Sequence, residues 1–310
     1  MNDTIFVTGS SGMLGYELHD FLTRRMMGPV VGISRQERQA ADQRLINHVV
    51  QTPLGADWMT NGALNSTIVH CAGLSNPRRA FDSLSSLTEL EITPQIRFAE
   101  ALVERGWRGH LILVSSGGAV YGDVETLPIA ETTPRQPKGF YGLAKVVVED
   151  NLAFLARKVG FRLTILRVAN PYGARIRKPD QGVIPVILDA ALGDKAFRML
   201  GNGEELRDYI HISDFTAAVA GACQLADGPL VNIFNIGSGK GTSLRQLIQI
   251  ISDLSGRQIT FDAQPSALDV RSNVLDITQA RVVLGWSPQI RIEDGLKILI
   301  DDELVRRGGH

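Results

Sequence analysis

The stretch FVTGSSGMLG, residues 6–15, decides how the rest of the chain is read. Gly9, Gly12 and Gly15 stand three apart directly after an apolar, β-branched run, and MLGYELHDFLTRRM from Met13 onward has helical periodicity. A strand that turns through glycines into a helix is the dinucleotide-binding arrangement. Glycine allows the tight turn, lets backbone approach a pyrophosphate, and lets helix and strand pack closely. The helix start offers free N–H groups and the positive end of its dipole to phosphate. Ser11, Met13 and Leu14 lie in the same loop and join the three glycines as expected cofactor contacts. The spacing is Gly-x-x-Gly-x-x-Gly rather than Gly-x-Gly-x-x-Gly, so the loop alone also admits a turn without a ligand.

Working outward, short β-branched runs alternate with helical patterns. TIFVTG (4–9), PVVGIS (29–34), TIVHCAG (67–73), HLILVSS (110–116) and FRLTILRV (161–168) read as strands; 12–26, about 85–106 and about 140–159 read as helices. Continuous apolar strands between helices predict an α/β fold, a Rossmann-like doubly wound parallel sheet covered on both faces. After residue 170 the pattern loosens. NPYGARIRKPDQG (170–182) is a basic, turn-rich connection, VIPVILDAALG a helix, and LVNIFNIGSG (230–239) one further strand. TSLRQLIQIISDLSG predicts a helix capped by Thr242 or Ser243 and closed by Gly256. The expected division is a dinucleotide-binding domain over 1–170, with a return segment near 206–238, and a smaller substrate-binding lobe over 171–310.

A net charge of −1 over 310 residues gives no electrostatic reason to expect nucleic acid or an anionic membrane as partner. The N-terminal MNDTIFVTG has neither basic leader nor apolar core, and no apolar run approaches ~20 residues, so a cytoplasmic protein is expected. Cys71 and Cys223 have neither metal-ligand nor disulfide-framework spacing, and Cys71 reads as strand packing.

A carboxylate ~20 residues past the glycine loop would grip the adenosine ribose of NAD. Counting from Gly15 reaches Ser34 and Arg35 instead. A hydroxyl beside a guanidinium suits a 2′-phosphate, which favours NADP over NAD; the plain alternative for Arg35 is a solvated surface charge. Farther on, SSGGAVYGD (115–123) precedes YGLAK (141–145). Tyr141 and Lys145, four apart on a helix, share a face. A phenol with pKa ~10 is a poor base at neutral pH, and a nearby ammonium stabilises its phenolate. The same lysine can hold a nicotinamide ribose, and a hydroxyl at a neighbouring strand end can share the substrate's proton.

With TGSSGMLG, VHCAG, SSGGAVYG, YGLAK, LRVANPYG, GNGEELRDYIHISD, FNIGSG and DITQARVVLGWSP in this order, residues 4 to 300 resemble the extended short-chain dehydrogenases/reductases. The chain is most similar to their NAD-dependent epimerase/dehydratase family. The resemblance implies Tyr141 and Lys145 as catalytic pair and Cys71, Ala72, Gly73 and Pro171 beside the cofactor. It also implies Asn170 and Arg207 on a nucleotide diphosphate, and a four-helix homodimer interface. A guanidinium fork suits phosphate independently, although a salt bridge of Arg207 to Asp208 or Asp214 is an alternative.

Two departures stand out. The family's catalytic hydroxyl falls in this register at Gly117, a substrate-side position, leaving Ser116 as the nearest hydroxyl; a water is the alternative. In LTELEITPQ, Glu91 replaces a common asparagine. Gly118 and Ala119 stand where the dehydratases carry Asp-Glu, and elimination of water needs such an acid and base. Among the family's activities the resemblance therefore implies a nucleotide-sugar oxidoreductase, first of all 4-epimerisation of a UDP-linked hexose through a 4-keto intermediate. The alternatives are an NADPH-dependent reductase of a 4-keto nucleotide sugar and a non-catalytic sensor of dinucleotide or sugar nucleotide.

Overall fold

The computed structural model describes residues 4–25, 28–35, 46–49, 56–59, 63–73, 81–175, 182–193, 197–226, 228–264 and 272–308. Seven strands form one parallel sheet: β1 (Ile5–Thr8), β2 (Val30–Ser34), β3 (Ile46–Val49), β4 (Thr67–His70), β5 (His110–Ser116), β6 (Arg162–Val168) and β10 (Val231–Ile236). Their order is β10-β6-β5-β4-β1-β2-β3, every pair parallel. Side chains alternate between two cores as a period of two demands. Val7, Val69, Ile112 and Val114 join the core under α1 (Met13–Arg25) and α6 (Ile212–Cys223). Phe6, Ile68, Leu111 and Leu113 join the other, under α3 (Thr93–Glu104) and α4 (Phe140–Val159). The strand order reverses between β1 and β4, and the crevice at their carboxyl ends is where such sheets bind ligands.

The helix expected over 85–106 is divided. It starts as α2 (Leu84–Leu87), capped reciprocally by Ser83 and Ser86, passes through a π-turn at Thr88–Ile92, and continues as α3. Pro94 has no N–H to give the carbonyl four residues back, and the Thr93 N–H bonds to the Thr88 carbonyl, five back.

The second lobe holds a three-stranded sheet, β11 (Gly241–Ser243)-β9 (Leu206–His211)-β7 (Asn170–Tyr172), and the parallel pair β8 (Phe197–Leu200) and β12 (Phe261–Gln264). A third core, with Ile187, Met199, Leu247, Ile251 and Leu299, lies among α5 (Ile184–Leu192), α7 (Leu244–Ser255) and α9 (Ile292–Gly308). The cap of α7 is Ser243, in a capping box with Gln246, and Gly256 closes it at φ +64°. Of the return segment, β9 belongs to the small sheet, α6 packs on α1, and β10 completes the main sheet, flanked by α8 (Thr278–Leu284). Of the basic connection, 176–181 lie outside the described residues, as does Met26 at the end of the first expected helix. No described helix is long and apolar enough to cross a membrane.

Candidate active site

The glycine loop closes on the end of β4. Gly9 turns at φ +74°, and a Cβ there would lie 2.9 Å from the Ala72 backbone nitrogen. A Cβ on Gly15 would come within 2.3 Å of the Gly9 carbonyl oxygen, so α1 seats on the strand end only through glycine. The Gly12 N–H donates to the Gly9 carbonyl at 2.9 Å. Ser11, Met13 and Leu14 are half-buried around it; opposite stand half-buried Cys71 and Ala72 and exposed Gly73. Burial pushes the Cys71 thiol up to about 12, as it does that of Cys223, so both are packing groups rather than reactive thiols. A backbone-walled slot facing a helix N-terminus fits a dinucleotide pyrophosphate. At the end of β2, Ser34 is buried and Arg35 exposed.

Tyr141 and Lys145 stand on the first turns of α4, both half-buried, with the lysine Nζ 5.7 Å from the tyrosine ring centre. The helix start is set by Gly142, where a Cβ would lie 2.4 Å from the Ala119 carbonyl oxygen. Ala119, against which Gly142 seats, follows the end of β5, and β5 pairs with β4, whose Cys71–Ala72 end meets Gly9, so the Tyr141–Lys145 turns and the glycine loop share one sheet edge. His70 is neutral: burial pulls it down to about 4. Its Nδ1 bonds Thr8 Oγ1 at 2.7 Å and its Nε2 bonds Gln95 Oε1. Gln95 Nε2 donates to the Ala72 carbonyl at 3.0 Å and to Glu91 Oε1 at 3.4 Å. The buried Glu91 carboxylate thus belongs to the wall behind Gly73, on the π-turn.

Ser116 ends β5, half-buried at the carboxyl edge. Gly117 is buried, and a Cβ there would lie 2.6 Å from Leu275 and 2.9 Å from the Arg167 carbonyl. Its N–H donates to the Val168 carbonyl, and its own carbonyl accepts Asn273 Nδ2 at 3.2 Å. A hydroxyl-bearing side chain in this register would have to displace Leu275 and press on the Arg167 carbonyl. Asn170 Nδ2 donates to the Asp208 carbonyl at 2.8 Å; its Oδ1 is the atom nearest the open side of exposed Gly118. Pro171 follows, half-buried on β7. Arg207 is half-buried on β9, with Nη1 on the Leu206 carbonyl at 2.8 Å. Asp208 is engaged by Ser238, Gly239 and Leu275, and Asp214 by the N–H groups of Gln289 and Ile290. Two features escaped the sequence: the Asn273–Leu275 segment closing over Gly117, and a buried Glu149–Arg167 pair beneath α4. The pair's only signal was a charged residue in each of two largely apolar runs, and the 273–275 segment, Asn-Val-Leu, carried none.

A glycine loop on a doubly wound parallel sheet, with a tyrosine and a lysine one helical turn apart at its carboxyl edge, defines an extended short-chain dehydrogenase/reductase. More narrowly, the chain belongs to the NAD dependent epimerase/dehydratase family, whose profile matches residues 5–237. It is therefore an enzyme of the NAD(P)-dependent kind. It is 31% identical over 303 residues, 96% of this chain and 97% of the relative, to a putative UDP-glucose 4-epimerase of Methanocaldococcus jannaschii. To a dTDP-4-dehydro-6-deoxyglucose reductase of Escherichia coli it is 34% identical over 236 residues, 76% of this chain and 73% of the relative. A UDP-glucose 4-epimerase from Thermotoga maritima, solved with UDP-glucose, superposes with a TM-score of 0.84 at 27% identity, over 99% of this chain and 100% of that one.

Proposed function

We propose that this enzyme is a UDP-hexose 4-epimerase working through a 4-keto intermediate. The observation that carries the proposal is the convergence of Tyr141, Lys145 and the glycine loop on one sheet edge, in a chain similar over its length to UDP-glucose 4-epimerases. Tyr141 takes the proton of the C4 hydroxyl and returns it after the sugar has presented its other face. Lys145 holds charge beside that phenol and hydrogen-bonds the nicotinamide ribose. Gly9, Ser11, Gly12, Met13, Leu14 and Gly15 hold the dinucleotide across from Cys71–Gly73, with Pro171 beside the nicotinamide. A dinucleotide held there would supply the hydride acceptor and donor for C4.

Asn170 and Arg207 hold the diphosphate about which the flat 4-keto sugar turns, so binding far from C4 does the positioning. The second hydroxyl, in place of one at Gly117, comes from Ser116 through a twist of the strand end or from a water. The enzyme acts in the cytoplasm as a homodimer. The test is to supply UDP-glucose or UDP-galactose without added cofactor: interconversion is expected, and no interconversion of either rejects the epimerase.

A second reading, reduction of a 4-keto nucleotide sugar by NADPH, is favoured by the similarity to the Escherichia coli reductase and by Arg35, exposed where a 2′-phosphate would lie. Stoichiometric consumption of NADPH on a 4-keto substrate, with no UDP-hexose interconversion, would establish it instead.

A further inference from the structure

Beneath the Tyr141–Lys145 face runs a polar network that the reaction above does not use. Glu149 follows Lys145 by one turn of α4 and Tyr141 by two, and is 1% exposed. Arg167 on β6, 2% exposed, gives it Nη2 at 2.8 Å and Nε at 3.1 Å, both to Oε2. Ser115 on β5 donates its Oγ to Oε1 at 2.5 Å. Arg135, from the loop between β5 and α4, adds Nη1 to Oε2 at 3.2 Å. The remaining guanidinium nitrogen of Arg167 reaches Tyr121 Oη at 2.9 Å and the Glu131 carbonyl at 3.1 Å. One carboxylate thereby joins α4 to β5, to β6 and to the loop that follows β5.

Stability alone does not account for charge in this place. A buried ion pair loses in desolvation much of what it gains in attraction, and an apolar pair of similar volume often serves as well. A carboxylate held by a fork and a hydroxyl differs from an apolar pair in fixing direction: it sets both rotation and height of the helix against two strand ends. The parts so fixed are those that must meet in the reaction. Ser115 adjoins Ser116 and Gly117, and Glu149 shares its helix with Tyr141 and Lys145.

We propose that Glu149 is a positioning residue, which through Ser115 and Arg167 holds the Tyr141–Lys145 turns of α4 in register with the end of β5. The proposal rests on the epimerase reading, because that reading gives Tyr141 its proton transfer.

Ser115→Ala is the informative variant, since it opens the link to β5 and leaves the two buried charges paired. Three measurements apply to it: steady-state epimerisation of UDP-glucose, dinucleotide retained on purification, and hydrogen exchange along α4. The expected kcat is about 10–100-fold lower, with KM and retained dinucleotide within about threefold of wild type. Amides of residues 144–149 should exchange about tenfold faster or more. Ser115→Thr, which restores a hydroxyl, should recover most of the kcat. A purely structural role would lower the melting temperature and leave kcat per folded molecule unchanged. A Ser115→Ala enzyme with kcat within about twofold of wild type, or with unaltered exchange, overturns the proposal. Should the wild type turn over no UDP-hexose, the epimerase reading fails by itself, and the exchange difference alone decides the positioning.

Discussion

Gly117 shows how a single residue can be dictated by its neighbours. Leu275 and the Arg167 carbonyl fill the space a side chain would need, so Gly117→Ser should cost about 1–3 kcal/mol through overpacking. The melting temperature should fall, and the fall should be smaller when Gly117→Ser is made in a Leu275→Ala background than in the wild type; an unchanged melting temperature would mean that the segment yields freely. Tyr141→Phe keeps the ring and removes the proton acceptor. Turnover should fall ~10²–10⁴-fold while dinucleotide retention stays at the wild-type level, measured by initial rates and by absorbance of the purified enzyme. Arg35→Asp separates the two cofactor readings. If Arg35 meets a 2′-phosphate, NADP(H) affinity should drop about tenfold or more relative to NAD(H), the effect of one charged hydrogen bond; parallel titrations showing equal change would make it a surface charge. The glycine loop and the Tyr141–Lys145 pair were legible in sequence because their spacing is local. The partners of Gly117 and Glu149 were not, because contacts such as Gly117–Asn273 and Ser115–Glu149 join residues 156 and 34 apart.

At the scale of elements, legibility followed length and regularity. Strands buried on both faces carry mostly apolar, β-branched runs, so β1, β2, β4, β5 and β6 stand out, and β10 does so despite the two asparagines in VNIFNI. By contrast β7 and β11 have three residues each, and β9 reads LRDYIH, whose charged residues answer to Ser238, Leu275 and a strand-end carbonyl rather than to solvent. The interruption before α3 turned on one proline, which a periodicity count passes over. Helix α4 is the element on which the chemistry depends, and its seating can be tested at Gly142. Gly142→Ala places a methyl 2.4 Å from the Ala119 carbonyl, against backbone that has little room to yield. Helix propensity alone would favour alanine by about 1 kcal/mol. A net loss of thermal stability, with kcat falling while dinucleotide retention persists, is the expected outcome. A gain in stability at full activity would show that α4 can shift without consequence for the site.

The whole molecule adds its response to pH and its assembly. Burial pulls His70 and His110 from 6.5 down to about 4 in the folded state. Between those values the unfolded chain binds protons that the folded chain refuses, so stability is full above about pH 6.5 and declines as pH falls toward 4. Each histidine contributes roughly 2–3 kcal/mol to that decline. His110→Gln, which can still meet Thr164, should flatten the fall in urea-unfolding free energy between pH 7 and 4.5 by about one such share. Equal slopes for variant and wild type would place the proton uptake elsewhere. The proposed homodimer would form through the outer layer made by α2, the π-turn, α3 and α4. Phe154 is 65% exposed there, Leu84 59% and Leu90 45%. A twofold mate laying its own α3 and α4 against these helices would cover all three, and the Tyr141 end of α4 would then be braced on its outer side as well. Light scattering at micromolar concentration should give twice the chain mass. Phe154→Glu, which puts one like charge on each side of the axis, should shift the population toward single chains as salt is lowered. A wild-type protein that scatters as one chain would dispose of the dimer, leaving the Tyr141–Lys145 chemistry to a site complete within one chain.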